Sequence, residues 1–216
     1  MDHLDDIAER IHQVLDARTA VRDRALTHAR TLTRHCANAI RAIHRDEHEP
    51  AEEHLSQARL LVEAMRSNLQ GYPDLYYAGY TQDALKEFAE ANLVYALVNE
   101  TPLPGPEDLQ LEYATYLQGL AEAASELRRR CLDMMLKGNA QNAERVLEQM
   151  DDIYGILVTM DYPDAITGGL RRLTDLVRAV VERTRGDMTV SLRQEHLEES
   201  LRAMEEQLEK LKGEKI

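Results

Sequence analysis

At 216 residues, with 44% apolar side chains, no Trp, one Phe and few Gly or Pro, the chain can bury a substantial core and has the composition of a helical protein. Its formal charge of -13 argues by itself against a nucleic-acid partner, but the charge is polarised: Arg10 to Arg45 holds eight arginines against Asp16 and Asp23, a local +6 that leaves -19 for the rest. Cys36 and Cys131 are too few and too far apart for a disulfide framework or a zinc site. The acidic opening Met1–Asp6 lacks the apolar run of a signal peptide, and no stretch approaches the ~18 apolar residues of a membrane span, so a cytoplasmic protein without a membrane partner is expected.

Apolar residues recur at helical spacing from Leu4, Ile7 and Ile11 to Cys36, Ile40 and Ile43 without an intervening Gly or Pro, which predicts one long basic helix over residues 1–46. It stops near Asp46–Pro50, because the residue before a proline is pushed out of the helical region. A second helix is expected from Ala51 to Leu69, broken by Gly71-Tyr72-Pro73, and a third from Thr81 to Asn99. Thr101–Pro106 is the clearest loop. Pro106-Glu107-Asp108 reads as a helix start, and that helix is expected to run to Lys137, where Gly138-Asn139 stops it. Further helices are expected over Ala140–Met160 and Leu170–Arg185, the latter ending at Gly186-Asp187, with a C-terminal amphipathic helix over residues 189–212. In that last helix Leu197, Leu201, Met204, Leu208 and Leu211 alternate spacings of four and three, a coiled-coil-like seam that could face the body or another subunit. Six or seven helices and no strand make a single all-α domain over residues 1–216.

The chemistry concentrates on two of these helices. Lys86-Glu87-Phe88-Ala89-Glu90-Ala91 places Glu87 and Glu90 at i, i+3, and Gly119–Leu127 places Glu122 and Glu126 at i, i+4, so each helix carries two acids on one face. Packed together, they would gather four carboxylates that repel unless a cation or protons join them. An oxygen-only donor set suits Mg²⁺, with Mn²⁺ as an alternative. Read alone, the same glutamates also fit exposed helix charges. Arg30, Arg34, Arg41 and Arg45 are the candidate nucleic-acid contacts. The last three, spaced by seven and four, share a helix face and would make sequence-independent, salt-sensitive phosphate contacts, or else meet acids of a neighbouring subunit. Phe88 reads as core, with base stacking as the alternative. His44 and His48 sit at i, i+4 without an obvious third ligand, and no phosphate-binding Gly-rich loop, nucleophile elbow or zinc-protease motif occurs.

Across most of its length the chain resembles the translin/Trax family. Lys86–Ala91 is similar to that family's glutamine-glutamate-aromatic-x-glutamate-alanine segment. Tyr116-Leu117-Gln118-Gly119, followed by Glu122 and Glu126, is similar to its tyrosine-leucine-x-glycine segment and following acids. Ala140–Asp152 and Leu170–Asp175 fit its later helices, and Arg30 and His44-Arg45 stand where it has basic residues. The resemblance implies a curved seven-helix bundle that assembles into a hollow oligomer, often an octamer, with nucleic acid on the inner surface. Trax-like members of the family carry four acids and are Mg²⁺-dependent endoribonucleases, whereas translin-like members bind nucleic acid and lack most of those acids. Glu87, Glu90, Glu122 and Glu126 occupy all four positions, which puts this chain on the Trax-like side, with Glu122 where Trax usually has Asp.

The expectation is therefore a metal-dependent endoribonuclease working as a homo-oligomer on single-stranded RNA or short RNA duplexes, with single-stranded DNA as a further ligand. A non-catalytic nucleic-acid-binding protein is the first rival. An all-α nucleotide pyrophosphohydrolase is the second. It is disfavoured because its acid pairs are typically both at i, i+3 and closer together than the 31 residues that separate Glu90 from Glu122.

Overall fold

A computed structural model describes residues 2–213 and the side chains of residues 3–207. Among these, all regular structure is helical: six long helices and three single turns. The long ones are α1 (Asp2–His44), α2 (His48–Leu69), α4 (Gly79–Val98), α6 (Tyr113–Leu136), α7 (Ala140–Leu157) and α9 (Leu170–Gly213); the single turns are α3 (Pro73–Tyr76), α5 (Pro106–Leu109) and α8 (Asp164–Thr167). No described helix is long and apolar enough to cross a membrane. The chain divides into two compact units, Met1–Ala123 with Tyr162–Leu170, and Ala124–Asp161 with Arg171–Ile216.

In the first unit α4 is the central element. Thr81, Ala84, Leu85, Phe88, Ala89, Glu90, Ala91, Leu93, Val94, Ala96 and Leu97 are all buried, so the helix is covered on nearly every side. Full burial of Phe88, Leu85 or Leu93 contributes about 1.5–3 kcal/mol each. Intrinsic helix preferences differ by at most ~0.7 kcal/mol among ordinary residues, so packing holds α4 in place. α1 faces it with a stripe of Val21, Ala25, Ala29, Leu32, Cys36, Ala39, Ile40 and Ile43 at steps of three and four. α2 contributes Ala58, Val62, Met65 and Leu69. His35 of α1 and His54 of α2 meet edge to face, their Nδ1 atoms 3.2 Å apart. The Thr81 hydroxyl donates to the Leu75 carbonyl at 2.8 Å, and the Thr115 hydroxyl reaches Gln82 Oε1 at 2.6 Å, tying α3 and α6 to α4.

Three boundaries differ from the sequence expectation, each for a local reason. α2 begins at His48 rather than after Pro50, because proline in a first helical turn removes only an N–H that has no intrahelical acceptor. The helix opened by Pro106 lasts one turn: Gln110 takes a left-handed conformation (φ 56°), which lets Leu109 and Leu111 both turn inward and delays α6 to Tyr113. Gly186 does not end a helix, and α9 runs through it. In the second unit, Arg128 of α6 donates to the Thr184 hydroxyl at 2.9 Å and to Asp187 at 2.8 Å, on either side of that glycine, and Val181, Thr184 and Met188 are buried. These contacts outweigh the ~1 kcal/mol a mid-helix glycine costs. Along the C-terminal part of α9, Val190, Leu197, Leu201 and Met204 are exposed in this chain, and Leu208 and Leu211 of the expected seam lie outside the described side chains.

One contact sets the approach of α4 and α6. A Cβ added at Gly119 of α6 would lie 2.5 Å from Ala89 Cβ, 2.9 Å from the Lys86 carbonyl oxygen and 3.0 Å from the Glu90 nitrogen. Only glycine allows the α4 backbone this close. We expect Gly119→Ala to lower unfolding free energy by about 1–3 kcal/mol, the usual cost of overpacking. Gly155→Ala at an exposed position of α7, where an added Cβ meets nothing within 4 Å, should stabilise by about 0.5–1 kcal/mol. Urea unfolding of both variants checks the contrast.

Candidate metal centre

The contact at Gly119 lies one turn before Glu122 on α6 and beside Glu90 on α4. Its consequence is that carboxylate oxygens of Glu87, Glu90 and Glu122 all lie within 4.8 Å of one another. Glu90 is the buried member, 8% exposed. Glu87 and Glu122 are part-exposed, so the group opens to solvent on one side. Glu126, one turn beyond Glu122, falls in the second unit and outside this group. Three of the four acids expected from sequence are thus brought together.

A buried carboxylate beside two others needs compensating positive charge. Part of it comes from Lys86, whose Nζ donates to Glu122 Oε1 at 2.7 Å and lies 3.9 Å from Glu87 Oε1. Burial works to lower the Lys86 pKa, but the hydrogen bond to Glu122 and the charges of Glu122, Glu87 and Asp83 outweigh it, so the net shift is upward and the ammonium stays charged at neutral pH. The donor set otherwise fits a hard divalent ion. All three ligands offer oxygen, and bonds of about 2.1 Å place opposite oxygens of an Mg²⁺ site about 4 Å apart, within the span seen here.

Of the basic candidates, Arg30 lines a groove of about 390 Å³ between α1 and α4 together with Leu26, Thr33, Tyr80, Asp83 and Glu87, so one arginine and one acid of the cluster share a concavity. Arg34, Arg41 and Arg45 are exposed on α1 or just beyond its end, and none of them lines that groove. Arg41 donates to Asn38 on its own helix. Phe88 is fully buried core, which excludes base stacking in this state. His44 is buried and His48 exposed, and the described residues bring no metal-binding group to that pair.

Sequence reasoning missed two residues. Lys86 was visible only as part of a motif, and nothing in its spacing shows that its ammonium reaches across to α6. Gly119 was likewise part of a motif, and its signal, a lone glycine inside a helical pattern, marks a close backbone approach only once the facing helix is known.

No protein-family model matches the chain. The uncharacterized protein MJ0175 of Methanocaldococcus jannaschii is 30% identical over 188 residues, covering 86% of this chain and 83% of the relative. Among solved structures, AfC3PO in a duplex RNA complex is 32% identical with a TM-score of 0.79, over 86% of this chain and 96% of that one. AfC3PO in a second crystal structure is 31% identical with the same TM-score, over 86% and 97%. Apo-NeC3PO, at 19% identity and a TM-score of 0.76 over 88% and 98%, shares the fold.

Cys36 packs on α1 beside the acids. Its burial, then the charges of Glu87 and Glu90, push its thiol pKa far above the ordinary range. Burial pushes Cys131 to about 11 against the opposing charge of Arg128. Both thiols should therefore resist an aromatic disulfide reagent at pH 8 in the native protein and react fully in denaturant. Rapid native labelling of Cys36 would show that the helices under the acid cluster open readily.

Proposed function

The chain belongs to the translin/Trax family, and from that premise we propose that it is a metal-dependent endoribonuclease. The observation that carries this reading is the convergence of Glu87, Glu90 and Glu122 from two helices onto one point. A buried carboxylate with two others beside it is costly to keep in a fold that does not use it. Glu90, the most buried, would be the most rigidly placed of the three ligands. Glu87 and Glu122 would complete the donor set from the more exposed side, where an RNA phosphate would approach. The bound Mg²⁺ or Mn²⁺ would supply charge stabilisation at the phosphoryl oxygens and a water of lowered pKa. A carboxylate of the cluster not engaged as a ligand would be the group to take a proton from that water.

Arg30 supports the choice of a polymeric substrate. It shares a groove with Glu87, so an RNA strand along that groove sets one phosphate on the guanidinium while another lies at the acids. Arg34, Arg41 and Arg45 extend the basic track along α1. The duplex RNA bound by AfC3PO makes a short RNA duplex the first substrate to try, with single-stranded RNA and single-stranded DNA alongside. The working form in this reading is a homo-octamer. Exposed Leu4, Ile11, Val14 and Leu15 on α1 and Leu197, Leu201 and Met204 on α9 supply apolar surface for it, and a monomer by light scattering would count against it.

The test is cleavage of end-labelled RNA, single-stranded and duplex, by the purified protein with Mg²⁺, with Mn²⁺ and with chelator. Wild type should cut only with metal. Glu122→Gln should lose more than the ~10–100-fold typical of removing a group that merely orients a metal ligand, while still binding RNA. Salt-sensitive binding without cleavage by wild type would instead make this a non-catalytic nucleic-acid-binding protein. Hydrolysis of free nucleoside triphosphates would make it a pyrophosphohydrolase.

A further inference from the structure

A pair of facing nitrogen ligands lies apart from the carboxylates, between α1 and α2. His35 and His54 come from different helices, and their Nδ1 atoms are 3.2 Å apart. Both rings are part-buried. Neither has another hydrogen bond among the described residues. The bond between them needs a proton on one Nδ1 and a lone pair on the other. Two lone pairs at the same spacing make a chelate. With Zn–N bonds of about 2.0–2.1 Å, nitrogens 3.2 Å apart subtend about 99–106° at the metal, close to the tetrahedral angle. We propose that His35 and His54 form a binding site for a borderline divalent ion, with Zn²⁺ the best fit, that clips α1 to α2. The site does not depend on how the carboxylates are read.

The donor chemistry sets which ion binds. Imidazole nitrogen suits Zn²⁺, Ni²⁺ and Cu²⁺, whereas oxygen-only sites suit Mg²⁺, so the two places on this chain take different ions. Both rings bind as neutral imidazoles protonated on Nε2. The ring that carries its proton on Nδ1 moves it to Nε2, and no net proton is released. Among the described residues no third His, Cys, Asp or Glu comes within the spacing of a shared ion, so water completes the shell. Burial, then the charges of His54 and Arg34, lower the His35 pKa against the opposing charge of Glu53. That ring is therefore neutral and able to bind at pH 7.

Zn²⁺ titration by calorimetry, with thermal melts, tests the site on the full chain in excess Mg²⁺, which occupies oxygen-only sites. Wild type should bind one more Zn²⁺ per chain than either His35→Gln or His54→Gln. At Zn²⁺ 100-fold above the Kd of that site, wild type should melt about 5–10 °C higher than without Zn²⁺, the scale of such linkage for a chain of this size. Both variants should lose that rise. The extra ion should also be lost at about pH 5, where imidazoles are protonated. X-ray absorption at the zinc edge, on wild type loaded with one Zn²⁺ per chain, should show two imidazole ligands, and it decides the matter if a variant does not fold. Equal Zn²⁺ stoichiometry and equal melting in the three proteins would overturn the proposal. So would loss in one variant only, binding that survives at about pH 5, or an oxygen-only shell around the zinc.

Discussion

The close approach of α4 and α6 at Gly119 is the constraint on which the site depends. Side chains of glutamate reach only a few ångströms, so acids on two helices meet only where the backbones nearly touch. Gly119 permits that contact against Ala89 and the backbone of Lys86 and Glu90. Ala89, the side chain that meets Gly119, is itself only a methyl. The helices are held together by apolar burial around Phe88, Leu85 and Leu93, and that burial opposes the repulsion of the carboxylates they deliver.

Function and stability pull against each other here, and the structure divides the load by depth. Glu90 is sunk in the core, where its charge is most expensive and its position most rigid. Glu87 and Glu122 sit nearer solvent, where a charge costs less to keep. Lys86 spans the two helices at that level. The groove between α1 and α4 holds Arg30 and Glu87 together, so in the proposed reading one basic side chain of a protein of net charge -13 stands beside the acids.

Much of this was legible in the sequence because the signals were periodic. The buried stripe of α1, the burial of Phe88, and the pairing of Glu87 with Glu90 follow from spacing alone. The errors came from residues whose meaning is tertiary. Gly186 looks like a stop, but Arg128 brackets it from another helix. Pro106 looks like the start of a long helix, but the burial of both Leu109 and Leu111 demands a left-handed turn at Gln110. Lys86 looks like one more surface lysine until α6 is laid beside α4. Local sequence carries periodicity and capping; it does not carry which charge will face which across a packed pair.

The central claim is that Glu87, Glu90 and Glu122 hold a divalent ion. Crystals of the protein grown with Mn²⁺ and measured for anomalous scattering test it most directly. The account predicts a single strong peak per chain within coordination distance of those three carboxylates. A metal-replete crystal with no peak there, or with its ordered ion elsewhere, would contradict it.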